Sequence, residues 1–231
     1  MKNILTLLIT FSLLFSLTAN VNAQGNSSPE YIRQLNIYKK AKYFNDPFAA
    51  KQALYNMIEL DPSNAALLDS LAYEYYAFRQ YTSSLIVTLE ALKRNSNNLS
   101  MMELKAINWE QIGDNSKALD SYEKLFLKNN SILTLYKIAF LQLDMKNFAQ
   151  AKNSSDILMG RKEAETEKIT YTKQDNTTQE ISMKAAIYNL KGLIAQDRGN
   201  KEEARNHFNE ALKLEPEFEV VQNNLKTLSE G

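Results

Sequence analysis

The side chains that ordinarily carry enzymatic chemistry are scarce and scattered in this sequence. It has no Cys, and His207 is the single His among 231 residues. A disulfide framework, a thiolate metal site, a cysteine nucleophile and a cluster of His ligands are therefore excluded. The six Gly are dispersed, so no Gly-rich loop can cradle a phosphate. Glu163, Glu165 and Glu167 alternate within a charged stretch, the pattern of a solvated face more than of an acid pair. His207 stands one residue before Phe208 in a helical pattern, which assigns it to the solvent side. No catalytic, cofactor-binding or metal-binding residue is expected. Lys plus Arg balances Asp plus Glu at 27 each, so no long-range field steers nucleic acid or an anionic membrane surface toward the chain.

What these residues sit on is helical. Six Gly and four Pro are few for the tight turns of a barrel or sandwich. At the N-terminus, Lys2 precedes a mostly apolar run from Ile4 to Leu17, too short to span a bilayer comfortably. Small residues follow, ending Val21-Asn22-Ala23. This pattern predicts a secretory signal peptide over 1–23, cleaved before Gln24, with 24–30 as a flexible lead; the alternative is an uncleaved anchor. No Cys follows the run, so a lipoprotein anchor is excluded. The expected location is periplasmic or secreted, in a bacterium, with no integral membrane span in the mature chain.

The strongest signal is self-similarity. Ala50, Ser84, Ala118 and Ala151 each open a helical pattern after a short turn, at separations of 34, 34 and 33 residues. Ala204 lies 53 residues further on, one 34-residue period with 19 residues inserted. Each period holds two apolar patterns at helical spacing. The last copy is the clearest. A helix from Ala185 ends at Gly199-Asn200, where glycine takes a left-handed cap conformation. A second helix from Lys201 stops at Glu215-Pro216. Small residues recur in the first helix of the pair (Ala72, Ala106, Ala139, Gly192) and in the second (Ala50, Ser84, Ala118, Ala151, Ala204). An aromatic follows at Tyr122 and Phe208, and Tyr75 and Trp109 stand late in first helices. Close approach of two helices needs such pairing of small with large side chains.

This pattern resembles the tetratricopeptide repeat family over most of the mature chain. Ser96 and Asn130 depart from it where the family closes with proline, and Ser155 departs from the second-helix aromatic. The resemblance implies an all-α, right-handed superhelical solenoid of about five helix pairs: four over 31–158 and a fifth over 183–216. Residues 217–231 read as a capping helix, with Phe218, Val221, Leu225 and Leu228 at helical spacing. Between the fourth and fifth pairs, 159–182 is an insertion. Ile169 and Tyr171 alternate with polar residues, as do Ile181 and Met183, with Asp175-Asn176 midway. That pattern predicts a β-hairpin, or a loop with strand character. It is either a specificity element beside a binding face or a tolerated surface loop.

The resemblance also implies a partner: a protein or peptide held in a concave groove lined by the first helices. Projected from helical spacing, the groove positions are Leu35, Lys39 and Lys42; Asp69, Tyr73 and Tyr76; Glu103, Ile107 and Glu110; Tyr136, Phe140 and Leu143; and Asn189, Leu193 and Gln196. Lys39 and Lys42 are followed by Asp69 and Glu103, not by the Asn and basic residues that family members use to clamp a C-terminal carboxylate. An apolar peptide or helix fits this lining better, with Tyr73, Tyr76, Tyr136 and Phe140 as anchors; the other reading of these aromatics is packing between repeats. A structural or assembly role in an envelope complex, using the outer surface, is the alternative function. An enzyme or small-ligand carrier comes third.

Overall fold

The computed structural model describes residues 28–230, which form eleven α-helices and one β-hairpin. The expected signal peptide and residues 24–27 of the lead lie outside the described residues. The lead is shorter than expected at its other end. Ser28 accepts a hydrogen bond from the Tyr31 N–H (3.1 Å) and Pro29 opens helix α1, so the Ser-Pro pair starts a helix instead of prolonging a coil.

The chain divides into two compact units that meet at residues 129 and 130. In the first, α1 (Pro29–Tyr43) pairs with α2 (Pro47–Leu60), α3 (Ala65–Ala77) with α4 (Tyr81–Arg94), and α5 (Leu99–Ile112) with α6 (Asn115–Asn129). In the second, α7 (Ile132–Asp144) pairs with α8 (Phe148–Met159) and α9 (Met183–Asp197) with α10 (Lys201–Leu214), before α11 (Glu219–Glu230).

All five pairs turn by the same device. Asn45, Arg79, Gly113, Lys146 and Gly199 each adopt a left-handed φ, between 54° and 90°, just after a first helix. In each, the next N–H reaches back five residues: Asp46 to Ala41, Gln80 to Tyr75, Asp114 to Trp109, Asn147 to Gln142 and Asn200 to Ala195, at 2.8–3.0 Å. This is the Schellman closure, which satisfies carbonyls that the helix end leaves open. Only two of the five positions are glycine, so the sequence announces the motif twice and hides it three times.

The small residues recurring at the repeat period are all buried. Gly192 shows why. A Cβ built there would overlap the Phe208 ring, so the aromatic of α10 fills the space that glycine leaves on α9. In the second pair the small residue of the second helix also makes polar contacts. The buried Ser84 hydroxyl donates to the Ala72 carbonyl of α3 (2.9 Å) and accepts from Asn108 Nδ2 of α5 (2.9 Å). One serine thus ties three helices.

The insertion is a hairpin. β1 (Lys168–Thr172) and β2 (Thr178–Ser182) run antiparallel, with Ile169 opposite Ile181 and Tyr171 opposite Gln179. Asn176 sits in the left-handed region at the turn (φ 66°), and the Asp175 carboxylate accepts from the Thr177 N–H (2.9 Å). Ile169, Tyr171 and Ile181 are buried, as period-two alternation requires.

Candidate functional site

The two units treat their first helices differently. In the first unit, α1, α3 and α5 carry a set of tyrosines and carboxylates. Lys42 Nζ lies 2.6 Å from Glu74 Oε1, and the Tyr38 hydroxyl donates to the same oxygen (3.1 Å). Glu74 is buried, and its other oxygen, Oε2, has no partner. Asp69 accepts from Asn98 Nδ2 (2.8 Å), and the Tyr122 hydroxyl donates to Glu110 Oε2 (3.0 Å). Tyr73 and Tyr76 are half-buried, backed by the core cluster of Leu68, Ala72, Ala91, Met101 and Leu104, and the Tyr76 ring lies 5.7 Å from that of Tyr81.

The electrostatics of this set are negative. Burial pushes the Tyr73 hydroxyl up to about 12, helped by the Glu103 and Asp69 carboxylates and opposed by a hydrogen bond from Ser100. Tyr76 moves the same way, through burial first, then Tyr81, Glu110 and Glu103. Desolvation also raises Asp69. All these tyrosines are neutral donors at physiological pH, beside acceptor carboxylates. Of the positions projected in this unit, Lys39 is exposed and Ile107 half-buried, whereas Leu35 packs with Tyr31 and Leu54 in the core. Glu74 and Tyr38 were not foreseen. A charged residue one position past Tyr73 gives no sequence signal of burial.

In the second unit the projected groove is closed. Tyr136 is fully buried; its hydroxyl shares a hydrogen bond with that of Tyr171 from β1 and donates to the Ala186 carbonyl (3.3 Å). Its ring meets Phe140 edge-on at 4.9 Å. Tyr171 in turn packs edge-on against Phe218 at 4.8 Å, and Asn189 is buried and accepts from Asn224 of α11 (2.9 Å). Three glutamates fasten the hairpin: Glu215 accepts from the Ser182 N–H (3.0 Å), Glu219 from the Gln174 N–H (2.9 Å), and the Glu217 carbonyl from Gln179 Nε2 (2.7 Å). Tyr136, Phe140, Leu143 and Asn189 are interior residues, not an open lining; the hairpin covers Tyr136, and α11 meets Asn189. Leu193 and Gln196 stay half-buried.

His207 is half-buried, not solvent-facing. Burial, then Lys191, lowers its pKa, so it is neutral at pH 7, and its ring lies 6.2 Å from that of Tyr188. Nearby, Asp156 is occupied by Lys152 (2.9 Å) and Lys191 (2.6 Å). Among the described residues no group of three or more His, Asp or Glu is placed to hold a metal ion.

Residues 185–218 match the family model of the tetratricopeptide repeat. No curated protein matches the sequence significantly. Among solved structures, a tetratricopeptide repeat protein from Parabacteroides merdae aligns with a TM-score of 0.71 at 19% identity, over 87% of this chain and 73% of that one. YrrB, described as a tetratricopeptide protein with an unusual peptide-binding site, aligns at 0.64 and 14% identity, over 85% and 92%. MamA of Desulfovibrio magneticus aligns at 0.65 and 12%, over 84% and 99%. The chain has the fold of a tetratricopeptide repeat protein, and its segment 185–218 matches that family's model.

Proposed function

We propose that the chain is an exported, non-catalytic scaffold that binds a protein segment across α1, α3 and α5. The observation that supports this most is the asymmetry between the units. The hairpin covers Tyr136 of α7 and α11 meets the buried Asn189 of α9, while Tyr73, Tyr76 and Ile107 keep part of their surface exposed beside Asp69 and Glu103. Half-exposed tyrosines on rigid helices make good anchors, because their large rings lose little freedom on binding. The peptide-binding site ascribed to YrrB, on the same fold, agrees with this use. Export rests on residues 1–23, and no described helix is long and apolar enough to cross a membrane. Replacing Tyr73 and Tyr76 by Leu keeps apolar bulk behind them and deletes the hydroxyls and flat rings. Capture of a partner from envelope extract should then be lost with the helical circular dichroism intact; unchanged capture would sink this reading.

A second reading is an assembly subunit that uses its second helices. Ile86 of α4 is 64% exposed and Leu127 of α6 is 83% exposed, so each offers an apolar side chain for a partner to cover. Under that reading, Ile86→Ser with Leu127→Ser abolishes capture and the tyrosine variant does not.

A further inference from the structure

The turn between α1 and α2 carries a feature that peptide binding does not use. Tyr43, Phe44 and Phe48 are 84%, 72% and 78% exposed within six residues. The Tyr43 and Phe44 rings touch edge-on at 5.1 Å, holding each other outward instead of folding onto a core. Lysines accompany them at one helical turn's distance: Lys39 precedes Tyr43 by four residues and Lys40 precedes Phe44 by four, and both are exposed. Between Lys39 and Lys51 the only acidic residue is Asp46, and its carboxylate is occupied in capping α2 through the Phe48 and Ala49 N–H groups (3.1 and 3.0 Å). A hydrogen bond from Lys51 Nζ to Gln80 (2.6 Å) places the α3–α4 turn alongside, adding the exposed Phe78 and Arg79.

The geometry points to a peripheral membrane contact, in which this turn inserts its aromatics among the headgroups of an anionic bilayer while the lysines meet the lipid phosphates. The neutral total charge argues against attraction of the whole molecule, but not against a local one, since only charges within about a Debye length of the surface act on it. Aromatics with an exposed edge are suited to the headgroup layer. Three exposed rings beside exposed lysines favour a lipid surface, since an acidic protein segment would engage the lysines and leave the rings in water.

The test is sedimentation of the full chain with phosphatidylglycerol vesicles, with phosphatidylcholine vesicles and with polyglutamate as the competing ligand. Binding to phosphatidylglycerol should exceed binding to phosphatidylcholine and weaken in high salt. It should fall about tenfold or more in Phe44→Ser/Phe48→Ser and in Lys39→Glu/Lys40→Glu, a change of about 1.4 kcal/mol or more. These side chains are exposed, so an unchanged denaturation midpoint is expected and confirms that the variants fold. Attachment that persists in both variants, or is equal on the two lipids, assigns membrane contact to another segment and overturns the proposal. Binding of polyglutamate without binding of vesicles overturns it in favour of an acidic protein partner.

Discussion

Tyr136 and Tyr171 share one buried hydrogen bond across 35 residues of sequence, and their titration makes the pair testable. Burial pushes the Tyr171 hydroxyl from an ordinary 10.0 up to about 12, with Tyr136 and Asn189 opposing; Tyr136 is raised well above 10.0 by burial, then by Tyr171. A raised pKa in the folded state favours the neutral phenol there. The stabilisation it reflects is complete below pH 10 and is lost as pH rises from 10 toward 12. The urea midpoint should therefore hold steady up to about pH 9–10 and fall beyond it, in step with tyrosinate absorbance. Substituting Tyr136→Phe strands the Tyr171 hydroxyl in the interior and should cost about 1–3 kcal/mol. Tyr136→Phe with Tyr171→Phe should cost less than the sum of the two single changes, because no orphan remains. Helical spacing placed Tyr136 correctly on its own helix and wrongly in solvent, since the residue that covers it comes from a distant strand.

Helices in this chain are joined by turns whose two glycines and three disguised equivalents do one job, and the element scale separates two kinds of glycine. A Cβ on Gly113 would meet nothing within 4 Å, so Gly113→Ala is strained only by its φ of 90° and should cost about 1–2 kcal/mol. Gly192→Ala fails for the other reason, overlap with Phe208, and should cost about 1–3 kcal/mol by overpacking. Adding Phe208→Leu to Gly192→Ala should recover part of the loss, whereas Phe208→Leu should only add to Gly113→Ala. Thermal denaturation of the four variants reads this directly. The repeat register was legible because small residues at one spacing are a pattern of composition. The hairpin was legible as alternation, with its turn at Asp175-Asn176. Its role was not, because nothing in Lys168–Ser182 states that Tyr171 will meet Phe218 and close the face of α7 and α9.

At the scale of the molecule, the number and order of helix pairs could be read from the sequence, while the division of labour between units could not, since it depends on where the hairpin packs. Repeat arrays distribute stability as local terms plus contacts with neighbours, so damage should stay near its origin. Phe208 is fully buried between α9 and α10, and α9 also contacts α7, α8 and both strands. Removing its ring as Phe208→Ala should cost about 3–5 kcal/mol. Hydrogen exchange should then accelerate throughout α9, α10, α11 and the hairpin, and leave α1 to α4 near their original protection. Because the anchoring tyrosines stand on α3, partner capture should survive this lesion even where the second unit has largely opened. A uniform loss of protection from α1 to α11 would mean that the chain unfolds as one cooperative body. Capture lost together with the second unit alone would move the binding site out of the first.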